Sequence, residues 1–111
     1  MLPITRTTTD ASTVAKTTNI VALDYFAMNF QVSLNCQVTG TVNYTVQYTF
    51  DKIQDAGWTP ATGNWTNHPS LTAQTTTKDS NIAYPVTAVR MTQASGGGSV
   101  VLTVLQTGGG Y

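Results

Sequence analysis

Apolar and polar residues alternate along 28–50 with almost no interruption. Met28, Phe30, Val32, Leu34, Cys36 and Val38 share one parity, and Asn29, Gln31, Ser33, Asn35 and Gln37 the other. After Thr39-Gly40-Thr41 the pattern resumes, with Val42, Tyr44, Val46, Tyr48 and Phe50 set against Asn43, Thr45, Gln47 and Thr49. A period of two belongs to a strand with one face in a core, because successive side chains of a strand point to opposite sides. The odd-numbered connection keeps the apolar parity matched across a hairpin. It predicts Val38 opposite Val42, Cys36 opposite Tyr44 and Leu34 opposite Val46. A slip of one residue would turn the whole apolar row into water.

The same logic extends along the chain. Ile20-Val21-Ala22-Leu23 predicts a short buried strand, with a corner at Asp24-Tyr25. A second hairpin is expected around Ser95-Gly96-Gly97-Gly98-Ser99. Its first strand places Val89 and Met91 on one face and Val86, Ala88 and Arg90 on the other. Residues 100–105 are apolar on both faces, which suits a central strand. Between the hairpins, 51–83 is broken by Gly57, Pro60, Gly63, Asn64, Asn67, Pro69, Asp79 and Asn81. Short strands are expected there near 64–66 and 71–75, and one helical turn over 51–56. Residues 1–19 are rich in Thr and poor in large apolar side chains. They predict an extended arm, ordered only where it lies on something. The expected organisation is an arm over 1–19, a single domain over 20–107 and a loose glycine-rich tail over 108–111. The fold class is all-β: a small antiparallel β-sandwich or jelly-roll-like domain with an extended N-terminal arm.

Composition strengthens this picture. The chain has 111 residues, enough for one domain; about a fifth are Thr, and Glu is absent. Thr, Val and Tyr suit a pleated, half-buried surface. Net charge is +0 and only 9% of residues are charged, so there is no basic field for nucleic acid and no polybasic patch for an anionic membrane. A neutral, hydroxyl-rich surface has little charge to keep copies apart, which points towards life in an assembly. The first residues lack the apolar run of a secretory signal, and no stretch approaches the ~18 apolar residues of a membrane span. Without a signal, the glycosylation patterns at Asn43-Tyr44-Thr45 and Asn64-Trp65-Thr66 carry no weight.

Candidate chemistry is sparse. Five Asp, one His and no Glu give little material for acid–base catalysis. His68, next to Pro69 and with no Cys or acidic motif nearby, is expected at the surface or capping a turn. No Gly-x-Ser-x-Gly elbow is present, and no pair of carboxylates lies on a shared strand pattern. Asp51 and Asp55 fall short of a calcium loop, and the glycine run links strands with no Lys after it, unlike a phosphate cradle. Cys36, the one cysteine, allows no internal disulfide and reads as a small buried hydrophobe. The expectation is a protein without enzyme activity, cofactor or metal.

Two sets of residues remain. Trp58 and Trp65, with Asn64, Asn67 and His68 beside them, suit a sugar-stacking platform. The competing expectation is that both tryptophans close the end of a small core. The amide-rich row Asn29, Gln31, Asn35, Gln37, Asn43 and Gln47 is neutral where solvent faces of sheets ordinarily carry Lys and Glu. Such a row can dock on protein without desolvating ion pairs. With Arg6, Asp10 and Lys16 of the arm, it forms the candidate capsid or subunit interface.

The alternating series over 38–51, the stretch Trp65-Thr66-Asn67-His68-Pro69-Ser70-Leu71-Thr72, the segment Pro85-Val86-Thr87-Ala88-Val89-Arg90-Met91, and the glycine turn with 100–106 carry a resemblance. Over roughly residues 20–107 the chain resembles the small β-rich virion proteins encoded among the head genes of tailed bacteriophages. The resemblance implies a structural role: a capsid decoration (cement) protein, or a minor head or neck component. It implies binding to the major capsid protein on the outer surface of the virion, as a homo-oligomer with a trimer favoured, after synthesis in the bacterial cytoplasm. On that view the arm between Leu2 and Lys16 clamps neighbouring capsid subunits. The alternatives are a carbohydrate-binding module using Trp58 and Trp65, and a neck or tail component.

Overall fold

A computed structural model of the chain describes residues 2–107. Its nine strands are β1 (Ile4–Thr9), β2 (Lys16–Thr17), β3 (Val21–Ala22), β4 (Gln31–Thr39), β5 (Asn43–Thr49), β6 (Trp65–Asn67), β7 (Lys78–Ile82), β8 (Ala88–Ser95) and β9 (Ser99–Thr107). The first sheet has the order β1-β9-β4-β7; the second has β2-β8-β5-β6, with β3 also on β8. Every pairing is antiparallel. The protein is an all-β sandwich.

The inward parity is the one the alternation requires. Val32, Leu34 and Cys36 of β4 are buried against Tyr44, Val46 and Tyr48 of β5, with Val89, Met91, Val100, Leu102 and Val104 completing the core. The rows end sooner than the pattern does. Met28 and Phe50 are exposed and Val38 is only half-buried.

Neither expected hairpin forms. β4 pairs with β7 and β9, whereas β5 pairs with β6 and β8. β8 and β9 likewise lie in different sheets. Both connections are arches that carry the chain from one sheet to the other, so Leu34 and Val46 face each other's sheet across the core. Parity cannot separate these arrangements, because a hairpin and an arch both turn the apolar row inwards. Burial pushes the Cys36 thiol up to about 12, with the Tyr44 hydroxyl beside it pulling the other way.

The two arches are stacked. Gly98 N–H donates to Thr41 O at 2.9 Å, and a methyl group on Gly98 would fall 2.2 Å from Thr39 O. The chain crosses between sheets a third time at this end. Asp10 N–H donates to Gly98 O and Ala11 N–H to Gly96 O, at 3.0 and 2.8 Å. From inside, the buried Gln93 amide donates to the carbonyls of Ser95, Gly96 and Gly98. Three crossings are thereby bound into one closed end.

The Thr-rich stretch expected as an arm lies on the sandwich itself. β1 runs along β9 from Ile4↔Val104 to Thr9↔Ser99, and β2 pairs with β8. β9 is central in its sheet, between β1 and β4, as its two-sided apolar pattern predicts. In the broken region, β6 forms close to where a strand was expected. No strand forms over 71–75, where Gln74 makes a single bridge to Tyr44. The helical turn expected over 51–56 is absent, and a short 3-10 helix occupies Pro60–Thr62 instead. The tail over 108–111 lies outside the described residues.

Candidate attachment surface

The amide row is split by the arch. Gln31, Asn35 and Gln37 lie on the outer face of the first sheet, and Asn43 and Gln47 on the outer face of the second. They occupy opposite sides of the molecule, so the single amide face expected from a hairpin does not exist. Several of these amides are also spoken for. Asn35 Nδ2 donates to Asp79 Oδ1. Gln47 donates to Asn67 Oδ1 and accepts from Arg90 Nε, each at 2.8 Å. Asn29 stands apart, in a bend before β4 with φ of 54°. Ser33, Asn35, Asp79, Ser80, Thr103 and Leu105 line a shallow cavity of about 340 Å³ on the first outer face.

The three charged arm residues do not converge. Arg6 bridges the sheets, its Nη2 donating to Ile20 O at 3.2 Å and its Nη1 to Thr5 O at 3.1 Å. Asp10 turns the chain after β1 with φ of 52°, and accepts from Ser12 N–H and Ser12 Oγ. Those two bonds hold its carboxyl below the ordinary range. Lys16 is exposed on β2.

Trp58 and Trp65 lie together, ring centres 6.3 Å apart, but neither belongs to the core cluster. They brace the β5–β6 connection from outside the second sheet. Trp58 Nε1 donates to Asp51 Oδ2, and Trp65 Nε1 to Pro60 O, both at 2.9 Å. The Arg90 guanidinium covers the Trp65 ring at 4.2 Å. Asp51 also accepts from Asn64 N–H at 2.7 Å, and these bonds lower its pKa from the ordinary carboxylate value. Both indole N–H groups are committed and one ring face is capped by a cation. The arrangement suits a structural brace better than a stacking platform.

His68 is not at the surface. It is 4% exposed, edge-on to Tyr48, with Nδ1 accepting from Ser70 N–H at 3.1 Å. That leaves Nε2–H to donate to Asn81 O at 2.9 Å. The residue caps a turn as expected, but from a buried position that ties the 68–71 turn to β7. Among the described residues, no three His, Cys, Asp or Glu side chains gather closely enough to hold a metal ion.

The end opposite the arches is built differently. The start of β4, the ends of β5, β7 and β9 and the start of β8 meet there, through pairs such as Gln31↔Thr107, Val32↔Ile82 and Thr49↔Ala88. Four large apolar side chains stand in solvent on its loops: Phe26 (84% exposed), Met28 (75%), Phe50 (62%) and Tyr84 (44%). Each loop is anchored. The Gln106 amide accepts from Asp24 N–H at 2.9 Å and donates to Asp24 O at 2.7 Å. The Tyr25 ring lies 4.6 Å from Phe26, and its hydroxyl accepts from Gln54 Nε2. Phe50 and Tyr84 are stacked at 6.3 Å, and the Tyr84 hydroxyl donates to the Tyr48 hydroxyl at 3.0 Å.

The alternation concealed this end, because its parity assigns Met28 and Phe50 to the core. The signal was their place at the limits of the pattern, beside Asp24 and Asp51, together with Tyr84 just before Pro85. No protein-family model matches the chain, and no curated protein matches it either.

Proposed function

We propose that the chain is a structural protein of a tailed-phage virion, a capsid decoration protein that binds the outer shell and stabilises it. The observation that carries this reading is the end whose hydrogen-bonded loops hold Phe26, Met28, Phe50 and Tyr84 in solvent. Loops that hold apolar side chains away from the core lower solubility unless a partner covers them. The resemblance supplies the kind of assembly, and the major capsid protein is the partner it implies. β1 is part of the sandwich, so attachment is assigned to these loops and not to a freely clamping arm.

Covering a Phe or Met side chain contributes about 1.5–3 kcal/mol, and each 1.4 kcal/mol is roughly tenfold in affinity. The test is co-sedimentation with undecorated shells of the phage, comparing the wild type with Phe26→Ser/Phe50→Ser. The wild type should bind at saturable sites, and the double variant about 100-fold more weakly with its fold intact. A wild type that stays in the supernatant, or a double variant that binds equally well, refutes the proposal.

A further inference from the structure

The edges of the two sheets are not equally protected. In the second sheet, β2 and β3 have two residues each and β6 has three, too short to template another strand. In the first sheet, β7 carries Lys78 and Asp79, and its Asn81 carbonyl is taken by His68. β1 is the longest edge strand, and its one charged side chain, Arg6, turns inwards to Ile20 O and leaves the exposed row Thr5, Thr7 and Thr9 uncharged. It has six residues, and among the described residues no strand lies beyond it.

The ladder fixes which of its groups are free. Asp10 N–H donates to Gly98 O, continuing the β1–β9 pairing, and hydrogen-bonded pairs recur at every second residue of an antiparallel ladder. Thr8, Arg6 and Ile4 therefore turn their backbone groups to β9, while Thr5, Thr7 and Thr9 turn theirs outwards. The Arg6 Nη1 bond to Thr5 O agrees, since it reaches the outer side of the strand. The side chains of Thr5, Thr7 and Thr9 are exposed and uncharged.

We propose that β1 pairs antiparallel with β1 of a second copy, joining two first sheets into one continuous eight-stranded sheet about a twofold axis through Thr7. The sequence is self-complementary in that register. Thr7 meets the partner's Thr7 in a hydrogen-bonded pair, Thr5 meets Thr9, and Arg6 meets Thr8, so no like charges stand directly opposite. Cross-strand Thr pairs are favourable in sheets. Among the described residues, the hydrogen bond that must give way on the outer side of β1 is the one from Arg6 to Thr5 O. This goes beyond shell binding and does not depend on it. It replaces the threefold expected from the resemblance with a twofold.

The test is the mass in solution by sedimentation velocity, with and without Thr7→Pro. Proline removes an N–H that faces away from β9, so the domain keeps its pairing while the edge loses its central donor. A dimer should become a monomer. Thr7→Lys, which keeps the N–H but sets two ammonium groups on the axis, should do the same and guards against a proline that unfolds the edge. Under mild oxidation Thr7→Cys should give a disulfide-linked dimer, because paired Cα atoms lie ~5.5 Å apart. Thr5→Cys and Thr9→Cys should not, since each would sit roughly 14 Å from its own copy along the strands. Cys36 is buried and contributes no background. A monomeric wild type, a trimer indifferent to both substitutions at Thr7, or equal cross-linking at all three positions overturns the proposal. Shell binding by a monomeric Thr7→Pro variant would leave the decoration reading standing, so the two can fail separately.

Discussion

Three consecutive glycines make the arch geometry testable at single-atom resolution. A Cβ on Gly98 would lie 2.2 Å from Thr39 O and 2.8 Å from Thr41 N, both backbone atoms of the neighbouring arch. A Cβ on Gly97 would meet nothing within 4 Å. In Gly98→Ala the arches must separate by more than about 1 Å to restore an ordinary contact. That strains the Gly98 N–H bond to Thr41 O and the Asp10 N–H bond to Gly98 O. Overpacking of a tight interior ordinarily costs about 1–3 kcal/mol, and each weakened bond ~0.5–1.5. The expected loss is ~2–4 kcal/mol, or about 10–20 °C in Tm for a domain near this size. Gly97→Ala should leave stability unchanged or raise it by up to ~1 kcal/mol, through a less flexible unfolded chain. Urea unfolding followed by the fluorescence of Trp58 and Trp65 measures both. Equal stability of the two variants, or a Gly98→Ala within ~0.5 kcal/mol of wild type, would refute the stacked arches. Neither Gly97 nor Gly98 has a positive φ, so turn conformation gives no reason for the difference and the contact with the neighbouring arch does.

Leu34 is 1% exposed at the middle of β4, so Leu34→Ala should cost roughly 2–4 kcal/mol in the same assay. A change below ~0.5 kcal/mol would mean that the opposite face of β4 is inside. Asp51→Asn should lower the Tm at neutral pH, because the carboxylate accepts from Trp58 and Asn64. The Asp51 pKa is depressed in the folded state, so its contribution is present above the ordinary value of 3.8 and lost as the pH falls below it. The Tm gap between wild type and Asp51→Asn should therefore narrow in acid. A gap that stays constant from neutral pH to pH ~2 would exclude that carboxylate as the anchor of the loop.

The all-β class and the buried rows were legible because a period of two constrains every residue of a strand. Leu34, Cys36, Tyr44 and Val46 are where the alternation puts them. Pairing was not legible. Thr39-Gly40-Thr41 has the residues of a tight turn, and only the needs of the neighbouring strands make it an arch. β7 was missed because Lys78-Asp79-Ser80-Asn81 has no apolar alternation; it is an edge held by β4. The candidate interface suffered from the same gap, since the amide row is one face only if β4 and β5 are neighbours. The aromatic end was hidden in Phe26, Met28, Phe50 and Tyr84, which look like core residues until the strands are seen to stop short of them.

The β1–β9 pair joins strands far apart in sequence, with Ile4 set against Val104. During synthesis β1 leaves the ribosome with no partner and must wait for every other strand of the sandwich to follow. Sheet completion therefore waits until β9 has been made. A topology dominated by such distant partners folds slowly, on the millisecond-to-second scale typical of sandwiches. Until β1 docks, the central strand β9 offers a bare edge to any other chain nearby. The period between synthesis of β9 and docking of β1 is when this protein is most exposed to misassembly.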